Sequence, residues 1–168
     1  MKSLFIALNL IFFTGILATA QKSTTIFVVR HAEKDLSNPS NTDPSLSGDG
    51  LQRSFDLRQA MQKEKITAVF STNFKRTIQT ASPLSQLINK EIIIYDPTKN
   101  TELVNKILEN YQGKKVLVVG HSNTILTIVK AFGVEPSINQ VQDSQYNLLF
   151  EITMSPKKTK LTERTYGQ

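Results

Sequence analysis

The sequence predicts a three-layer α/β/α domain built on a mostly parallel central sheet. Short runs of β-branched and aromatic residues alternate along the chain with longer segments of helical periodicity, which is the pattern of an α/β layer fold. The chain has 168 residues of 39% hydrophobic composition, enough for one sizeable core and too few for a second catalytic domain. One domain with a single sheet is therefore expected.

The first twenty residues are typical of a secretory signal peptide. Lys2 supplies positive charge, residues 4–17 form an apolar run, and Ala18-Thr19-Ala20 offers a small-x-small cleavage pattern. We therefore expect the domain to span residues 21–168 and to be exported to the periplasm or the extracellular space, with no stable membrane insertion after cleavage. An uncleaved anchor is the alternative, because the apolar run lies at the short edge of a spanning helix.

The elements of the domain follow in order. Residues 24–29 are β-branched and aromatic and predict a buried strand that ends at His31. The polar segment 35–47 predicts an exposed loop, and Ser47 can cap a helix that runs to about residue 63. The remaining predicted elements are strands at 66–70, 92–95, 115–119, 146–154 and 158–164, and helices at 73–89, 101–111 and 125–132. We expect Asn73 to cap its helix, Pro83 to bend or break it, and the late strands to form an antiparallel edge.

The composition and charge restrict the chemistry. The chain has no cysteine, which excludes a disulfide, a thiolate zinc site and a cysteine nucleophile. It has two histidines, too few for most metal sites. The net charge of +6 favours anionic partners in general. Nucleic-acid binding would require basic residues interleaved with aromatics, and the short basic run at residues 157–160 is more simply a solvated edge strand; no nucleic-acid partner is expected.

Three clusters of reactive residues each follow a predicted strand. Arg30 and His31 end the first strand; a neutral imidazole can attack phosphorus, and a guanidinium binds phosphate oxygens through its forked donors. Arg76 lies in the first turn of a helix, where free amides and a cation favour an anion. His121 follows Gly120 at another strand end. Each cluster alone is also consistent with a solvated strand end or a helix cap, but parallel strands bring their carboxyl ends together, so a shared site is expected.

Four segments in this order resemble the signatures of the histidine phosphatase (phosphoglycerate mutase-like) superfamily. They are Arg30-His31-Ala32-Glu33, Leu46-Ser47-Gly48-Asp49-Gly50, Ser71-Thr72 with Arg76-Thr77 and Gln79-Thr80, and Gly120-His121-Ser122-Asn123. The resemblance implies a phosphoglycerate mutase-like fold and a metal-independent phosphatase that hydrolyses a small phosphate monoester. It implies no cofactor, and it predicts neither the natural substrate nor the oligomeric state.

The resemblance also implies residue roles. His31 would attack phosphorus and form a phosphohistidine, while Arg30, Arg76 and His121 would surround the phosphoryl oxygens. Additional phosphate contacts are expected from polar side chains near the two histidines, namely Asn123 and either Ser37 or Asn38.

The chain departs from the superfamily pattern in two places. Ala32 stands where glycine commonly follows the nucleophile, which alanine tolerates if the backbone there has a negative φ. The second departure lies between the Arg76 helix and His121, where many members insert a segment that carries a glutamate proton donor; here that stretch is short.

A leaving alkoxide needs a general acid, so another carboxyl group must serve, or the substrate must have a good leaving group. Glu33 is the first candidate for this catalytic role, and Asp35 and Asp43 are the next. An ion pair of Glu33 with Arg30, Lys34 or Arg76 is the alternative use of its carboxylate.

Two other functions compete with hydrolysis. A phosphoglycerate mutase-type phosphotransferase must keep its phosphoenzyme dry, which an exported chain with little lid material does not favour. A non-catalytic phosphoryl-binding protein could retain the pocket, but such a protein would have no need of both histidines and both arginines.

Overall fold

The structure, a computed structural model, describes residues 22–167. The predicted signal peptide, residues 1–20, lies outside the described residues. Within them the elements are β1 Thr24–Arg30, α1 Gly48–Met61, β2 Ile66–Ser71, α2 Lys75–Leu87, β3 Ile92–Ile94, α3 Asn100–Asn110, β4 Lys115–Gly120, α4 Ile125–Ala131, β5 Leu148–Met154 and β6 Thr159–Thr165. None of the helices in this part of the chain combines the length and apolar character that crossing a membrane requires.

The strands form one sheet in the order β3-β2-β4-β1-β5-β6. The first four are mutually parallel, β5 runs antiparallel to β1, and β6 runs antiparallel to β5. The prediction of a mostly parallel sheet with an antiparallel edge is therefore confirmed.

Side chains of the central strands alternate between two cores, one on each face of the sheet. Ile26 and Val28 of β1 pack with α3 and α4, whereas Phe27 and Val29 pack with α1 and α2. A strand buried on both faces has no solvent-facing side, which explains why residues 26–29 are a continuous apolar run. The two helical layers confirm the predicted α/β/α architecture.

The register of three adjacent strands places their ends side by side. Arg30 of β1 pairs with Gly120 of β4, and Ser71 of β2 pairs with Val119. The next residue of each strand therefore leaves the sheet at the same edge, and the amide of His31 donates to the carbonyl of Gly120 at 2.9 Å. This edge is where parallel α/β sheets bind ligands.

Helix α2 differs from its prediction at two points. Asn73 is exposed and does not cap it; Phe74 holds the N-cap position without a side-chain hydrogen bond, and Asp43 accepts from the amide of Lys75 at 3.0 Å instead. Pro83 lies inside the helix, which continues to Leu87. A proline removes one backbone hydrogen bond, and the burial of neighbouring residues against the sheet compensates for that loss.

Candidate active site

The two histidines meet at the edge where β1 and β4 end. Their ring centroids are 5.4 Å apart in an edge-to-face arrangement, and both residues are buried. The Nδ1 atom of His31 lies 2.7 Å from the carbonyl oxygen of Ala32, so this nitrogen carries the proton and donates it. Nε2 of His31 is left with a free lone pair, as a nucleophile requires.

The surroundings keep both imidazoles neutral. Burial lowers the pKa of His31 to about 3, and the positive charge of Arg30 and Arg76 acts in the same direction, against the hydrogen bond to Ala32. Burial likewise lowers the pKa of His121 to about 4, assisted by Arg76, Arg30 and Lys34. A neutral His31 at neutral pH is competent to attack an electrophile.

The guanidinium of Arg30 is held by a segment that the sequence analysis did not assign to the site. Its Nη1 donates to the carbonyl oxygens of Gln142, Asp143 and Gln145 at 3.0, 3.0 and 3.1 Å, and its Cζ lies 4.0 Å from the ring centroid of Tyr146. The Nε atom of Arg30 is buried and has no partner. Backbone carbonyls leave no sequence motif, so this segment carried no signal.

Arg76 is held in a similar way beside His121. Its Cζ lies 4.4 Å from the ring centroid of Phe74. Its Nη1 is 3.6 Å from Oδ1 of Asp43, and its Nη2 is 3.4 Å from Nδ1 of His121. Burial lowers the pKa of Arg76, and Asp43 partly opposes this effect. Its Nε is also buried without a partner. An unsatisfied buried donor costs about 1–3 kcal/mol, and an anion bound between the arginines would supply acceptors.

The first turns of α2 tie the site together. The amide of Ala32 donates to Thr80 Oγ1 at 2.9 Å, which fixes the backbone beside His31. The amide of Leu46 donates to Gln79 Oε1 at 2.8 Å, which fixes the loop before α1. The resemblance motif on α2 thus contains one residue that faces the pocket, Arg76, and others that hold the segments around it.

The carboxylate of Glu33 is occupied by a partner that was not predicted. Arg53 of α1 contacts it with two nitrogens, at 2.7 to 2.9 Å, in place of the expected Arg30, Lys34 or Arg76. The reason is topological: α1 returns across the end of β1, so its first turns face the residues that follow His31. The structure therefore places Glu33 in an ion pair and does not bring it to His31.

The other proton-donor candidates lie in the loop before α1. Asp35 is exposed and accepts from the amide of Ser37 at 2.9 Å, and this hydrogen bond lowers the pKa of its carboxyl group. Asp43 is the candidate that the structure brings to the pocket, through its contact with Arg76.

The predicted polar phosphate contacts are exposed. Ser37 and Asn38 make local turn contacts, with the amide of Ser37 donating to Asp35 and Oδ1 of Asn38 accepting from the amide of Ser40. Asn123 is exposed in the turn between β4 and α4. Their role in binding stays a prediction. Among residues 22–167, no three His, Asp or Glu side chains form a group that could hold a metal ion.

Comparisons with known proteins agree with this arrangement. The family model of the histidine phosphatase superfamily (branch 1) matches residues 26–98, which contain Arg30, His31 and Arg76. No curated protein matches the chain by sequence.

Several solved structures share the fold. The protein histidine phosphatase SixA, complexed with tungstate, has a TM-score of 0.67 at 16% identity and covers 84% of this chain and 96% of its own. A phosphoserine phosphatase mutant from Entamoeba histolytica, in complex with phosphoserine, has a TM-score of 0.65 at 14% identity over 85% and 96%. A mycobacterial glucosyl-3-phosphoglycerate phosphatase has a TM-score of 0.67 at 11% identity over 86% and 99%.

Proposed function

We propose that the chain is a member of the histidine phosphatase superfamily, whose family model matches residues 26–98, and that it hydrolyses a phosphate monoester through a phosphohistidine formed on His31. One observation carries the proposal. Two buried neutral imidazoles lie beside two guanidinium groups, each of which has an unpartnered buried Nε donor. A phosphoryl group supplies the acceptors that these donors lack, and its phosphorus is the electrophile that a free imidazole lone pair attacks.

The reaction has two balanced steps. Nε2 of His31 forms a bond to phosphorus while the bond to the leaving oxygen breaks and its electron pair departs with that oxygen. Phosphorylation makes the imidazole cationic, and the carbonyl of Ala32, which accepts from Nδ1, stabilises that charge. Water then attacks phosphorus and the bond to Nε2 breaks, which releases phosphate and restores the neutral ring. Arg30, Arg76 and His121 stabilise the negative charge on the phosphoryl oxygens in both steps.

The leaving oxygen needs a proton when it belongs to an alcohol. We assign this role to the protonated form of Asp43. Its contacts with Arg76 and with the amide of Lys75 use Oδ1, which leaves Oδ2 to carry the proton, whereas Arg53 holds both carboxylate oxygens of Glu33. Hydrolysis of a substrate with a good leaving group would proceed without it.

A small phosphorylated molecule is the proposed substrate. Two forms of the Entamoeba phosphoserine phosphatase, one bound to phosphoserine and one to 3-phosphoglyceric acid, support this class of ligand. The proposed mechanism requires no metal, because the charge of the phosphoryl group is neutralised by side chains. Export is also proposed, from residues 1–20; N-terminal sequencing of protein recovered outside the cytoplasm would find Gln21 first if the signal is cleaved there.

The testing experiment uses the purified chain, a chromogenic aryl phosphate and a chelator, with His31→Ala as the comparison. Turnover by the parent chain that is lost in His31→Ala, together with a trapped phosphoenzyme that is labile in acid and stable in alkali, is the expected result. Activity that survives in His31→Ala, or that the chelator abolishes, contradicts the proposal. Equal inactivity favours a phosphoryl-binding protein, and transfer of the phosphoryl group to an organic acid instead of water identifies a mutase.

A further inference from the structure

Behind His121 lies a buried chain of hydrogen bonds that the proposed reaction does not use. Nε2 of His121 is 2.9 Å from Thr72 Oγ1, which is 2.9 Å from Thr77 Oγ1. The hydroxyl of Thr77 in turn lies 2.9 Å from the carbonyl oxygen of Phe74 and 3.0 Å from that of Thr72. Both threonines are fully buried. These groups therefore have no access to solvent and must satisfy one another.

The available donors and acceptors determine which atom donates in each of these hydrogen bonds. The guanidinium of Arg76 can only donate, and its Nη2 faces Nδ1 of His121 at 3.4 Å, so Nδ1 must present a lone pair. The ring proton is then on Nε2 and is donated to Thr72. Thr72 gives its single hydroxyl proton to Thr77, and Thr77 gives its own to a backbone carbonyl.

The opposite direction fails at both ends. It would place a proton on Nδ1, directed at a guanidinium that also only donates. It would also direct the hydroxyl proton of Thr77 at Thr72, so that Thr77 Oγ1 would lie 2.9 and 3.0 Å from the carbonyl oxygens of Phe74 and Thr72 with no proton between these acceptors. The first arrangement gives every donor and acceptor in this hydrogen-bonded series a suitable partner.

We propose that Thr72 and Thr77 are positioning residues that hold His121 in the tautomer with the proton on Nε2, so that Nδ1 is the atom presented to the ligand beside Arg76. The tautomer follows from the hydrogen bonds alone; the identity of the ligand as a phosphoryl group rests on the proposed function. In this tautomer, a proton taken up with the ligand can go only to Nδ1. The charged and titratable groups near His121 are Arg76 on α2, Arg30 and His31 at the end of β1, and Lys34 in the segment beyond.

The two histidines are thereby held in opposite tautomers. His31 has its proton on Nδ1, fixed by the carbonyl of Ala32, and presents Nε2. His121 has its proton on Nε2, fixed by Thr72, and presents Nδ1. Because the chain contains two histidines, long-range ¹H–¹⁵N NMR spectra of the imidazoles resolve this directly.

The experiment records those spectra at neutral pH for the full chain and for Thr72→Val, Thr72→Ser and Thr67→Val. The parent chain should show one ring of each tautomer. Thr72→Val, which keeps the shape and removes the hydroxyl, should leave His121 as a mixture of tautomers and lower kcat/KM about 10- to 100-fold. Thr72→Ser should restore both. Thr67 donates to the carbonyl of Lys115 at the other end of β2, so Thr67→Val makes the same chemical change away from the site and should alter neither readout.

Two outcomes overturn the proposal: a parent chain in which His121 carries its proton on Nδ1, or a Thr72→Val variant whose His121 tautomer is unchanged. Should Thr72→Val fail to fold, Thr77→Val decides the same question. Loss of the signal of His121 protonated on Nε2 supports the proposal, and an unchanged signal overturns it. The spectra need no substrate. A chain that shows the expected tautomers yet hydrolyses no phosphate ester would contradict the proposed function and leave this inference standing.

Discussion

Glu33 and Arg53 form a two-armed ion pair, with Arg53 Nε 2.9 Å from Glu33 Oε2 and Arg53 Nη2 2.7 Å from Oε1. The side chains are 14% and 22% exposed for Arg53 and Glu33 respectively. Glu33 follows His31 by two residues, and Arg53 belongs to α1. The pair therefore fastens the segment after β1 to the helix that packs behind it, and its geometry is that of a structural contact.

Removal of one partner of this pair should destabilise the fold. Arg53→Met leaves the Glu33 carboxylate largely buried without its cation, at a cost of about 2 kcal/mol in the free energy of unfolding. Lys115→Met, which breaks a pair with Glu64 that is more exposed, should cost less than about 1 kcal/mol. Denaturant unfolding compares the two, and the double variant Glu33→Gln/Arg53→Met should recover part of the loss. Equal costs for the two single variants would show that the Glu33 pair is as weak as a surface one.

Substitutions at Glu33 and Asp43 should differ in how they change the dependence of the rate on the basicity of the leaving group. Asp43→Asn keeps an oxygen for the amide of Lys75 but removes the acid, so its rate should fall further below that of the parent chain as the leaving group becomes more basic. Glu33→Gln should reduce all rates by one common factor. A series of aryl and alkyl phosphates measures both slopes. A steeper slope in Glu33→Gln would return the proton-donor role to Glu33.

The sequence predicted the residues that face the pocket better than those that support it. His31, Arg76 and His121 lie at strand ends and at a helix start, positions that apolar runs and helical periodicity locate without any knowledge of tertiary structure. The strand register then brings them together, because adjacent parallel strands end at one edge. The burial of the central strands was equally predictable, since each is apolar over most of its length.

The supporting contacts depend on distances that only the folded chain defines. Arg53 pairs with Glu33 across twenty positions of sequence, and the carbonyls that hold Arg30 come from residues 142–145, more than a hundred positions away. The absent Asn73 cap has the same origin, because Asp43 from another loop takes the amide that a local side chain was expected to bind. Local patterns carry no record of such contacts.

The ring of Tyr146 should contribute to phosphate affinity through Arg30. A guanidinium over the face of a half-buried aromatic ring gains about 1–2 kcal/mol, and the ring holds the group while leaving its Nε free. Tyr146→Leu should therefore raise the Kd for orthophosphate and the KM for an aryl phosphate about tenfold. Tyr146→Phe retains the ring and should behave as the parent chain does. If Tyr146→Leu binds orthophosphate normally, the three carbonyls alone position Arg30.

The lowered pKa values of the histidines make the fold sensitive to acid. His31 and His121 titrate at about 3 and about 4 in the folded chain, against 6.5 for an unperturbed histidine. Below 6.5 the unfolded chain binds more protons, so stability that is fully present above that pH is lost as the pH falls towards the folded values. Each histidine contributes at most about 1.4 kcal/mol per pH unit.

His31→Asn isolates this contribution. Denaturant unfolding of both proteins between about pH 7 and pH 4 should show a shallower loss of stability in His31→Asn, because carboxyl groups titrate alike in both and cancel in the difference. Parallel curves would mean that His31 carries no lowered pKa in the folded chain.

Gly50 of α1 should be intolerant of any side chain, unlike its neighbour Gly48. A Cβ at Gly50 would lie 2.2 Å from the carbonyl oxygen of Glu33, and that carbonyl is fixed because it accepts from the amide of Ser47 at 3.0 Å. Gly50→Ala must displace either α1 or the backbone two residues beyond His31, at a cost of about 3 kcal/mol. A Cβ at Gly48 would meet nothing within 4 Å, so Gly48→Ala should be neutral or stabilising by about 0.5 kcal/mol.

The same pair of variants separates packing from catalysis. In Gly50→Ala, the folded fraction should also have a lower kcat, because the displaced segment carries the carbonyl of Ala32 that orients the ring of His31. Gly48→Ala should match the parent chain in kcat. Thermal unfolding followed by steady-state assays below the transition measures both quantities. A Gly50→Ala protein with unchanged stability and kcat would mean that α1 does not brace the segment behind His31 in solution, and the ion pair of Glu33 with Arg53 would then need another explanation.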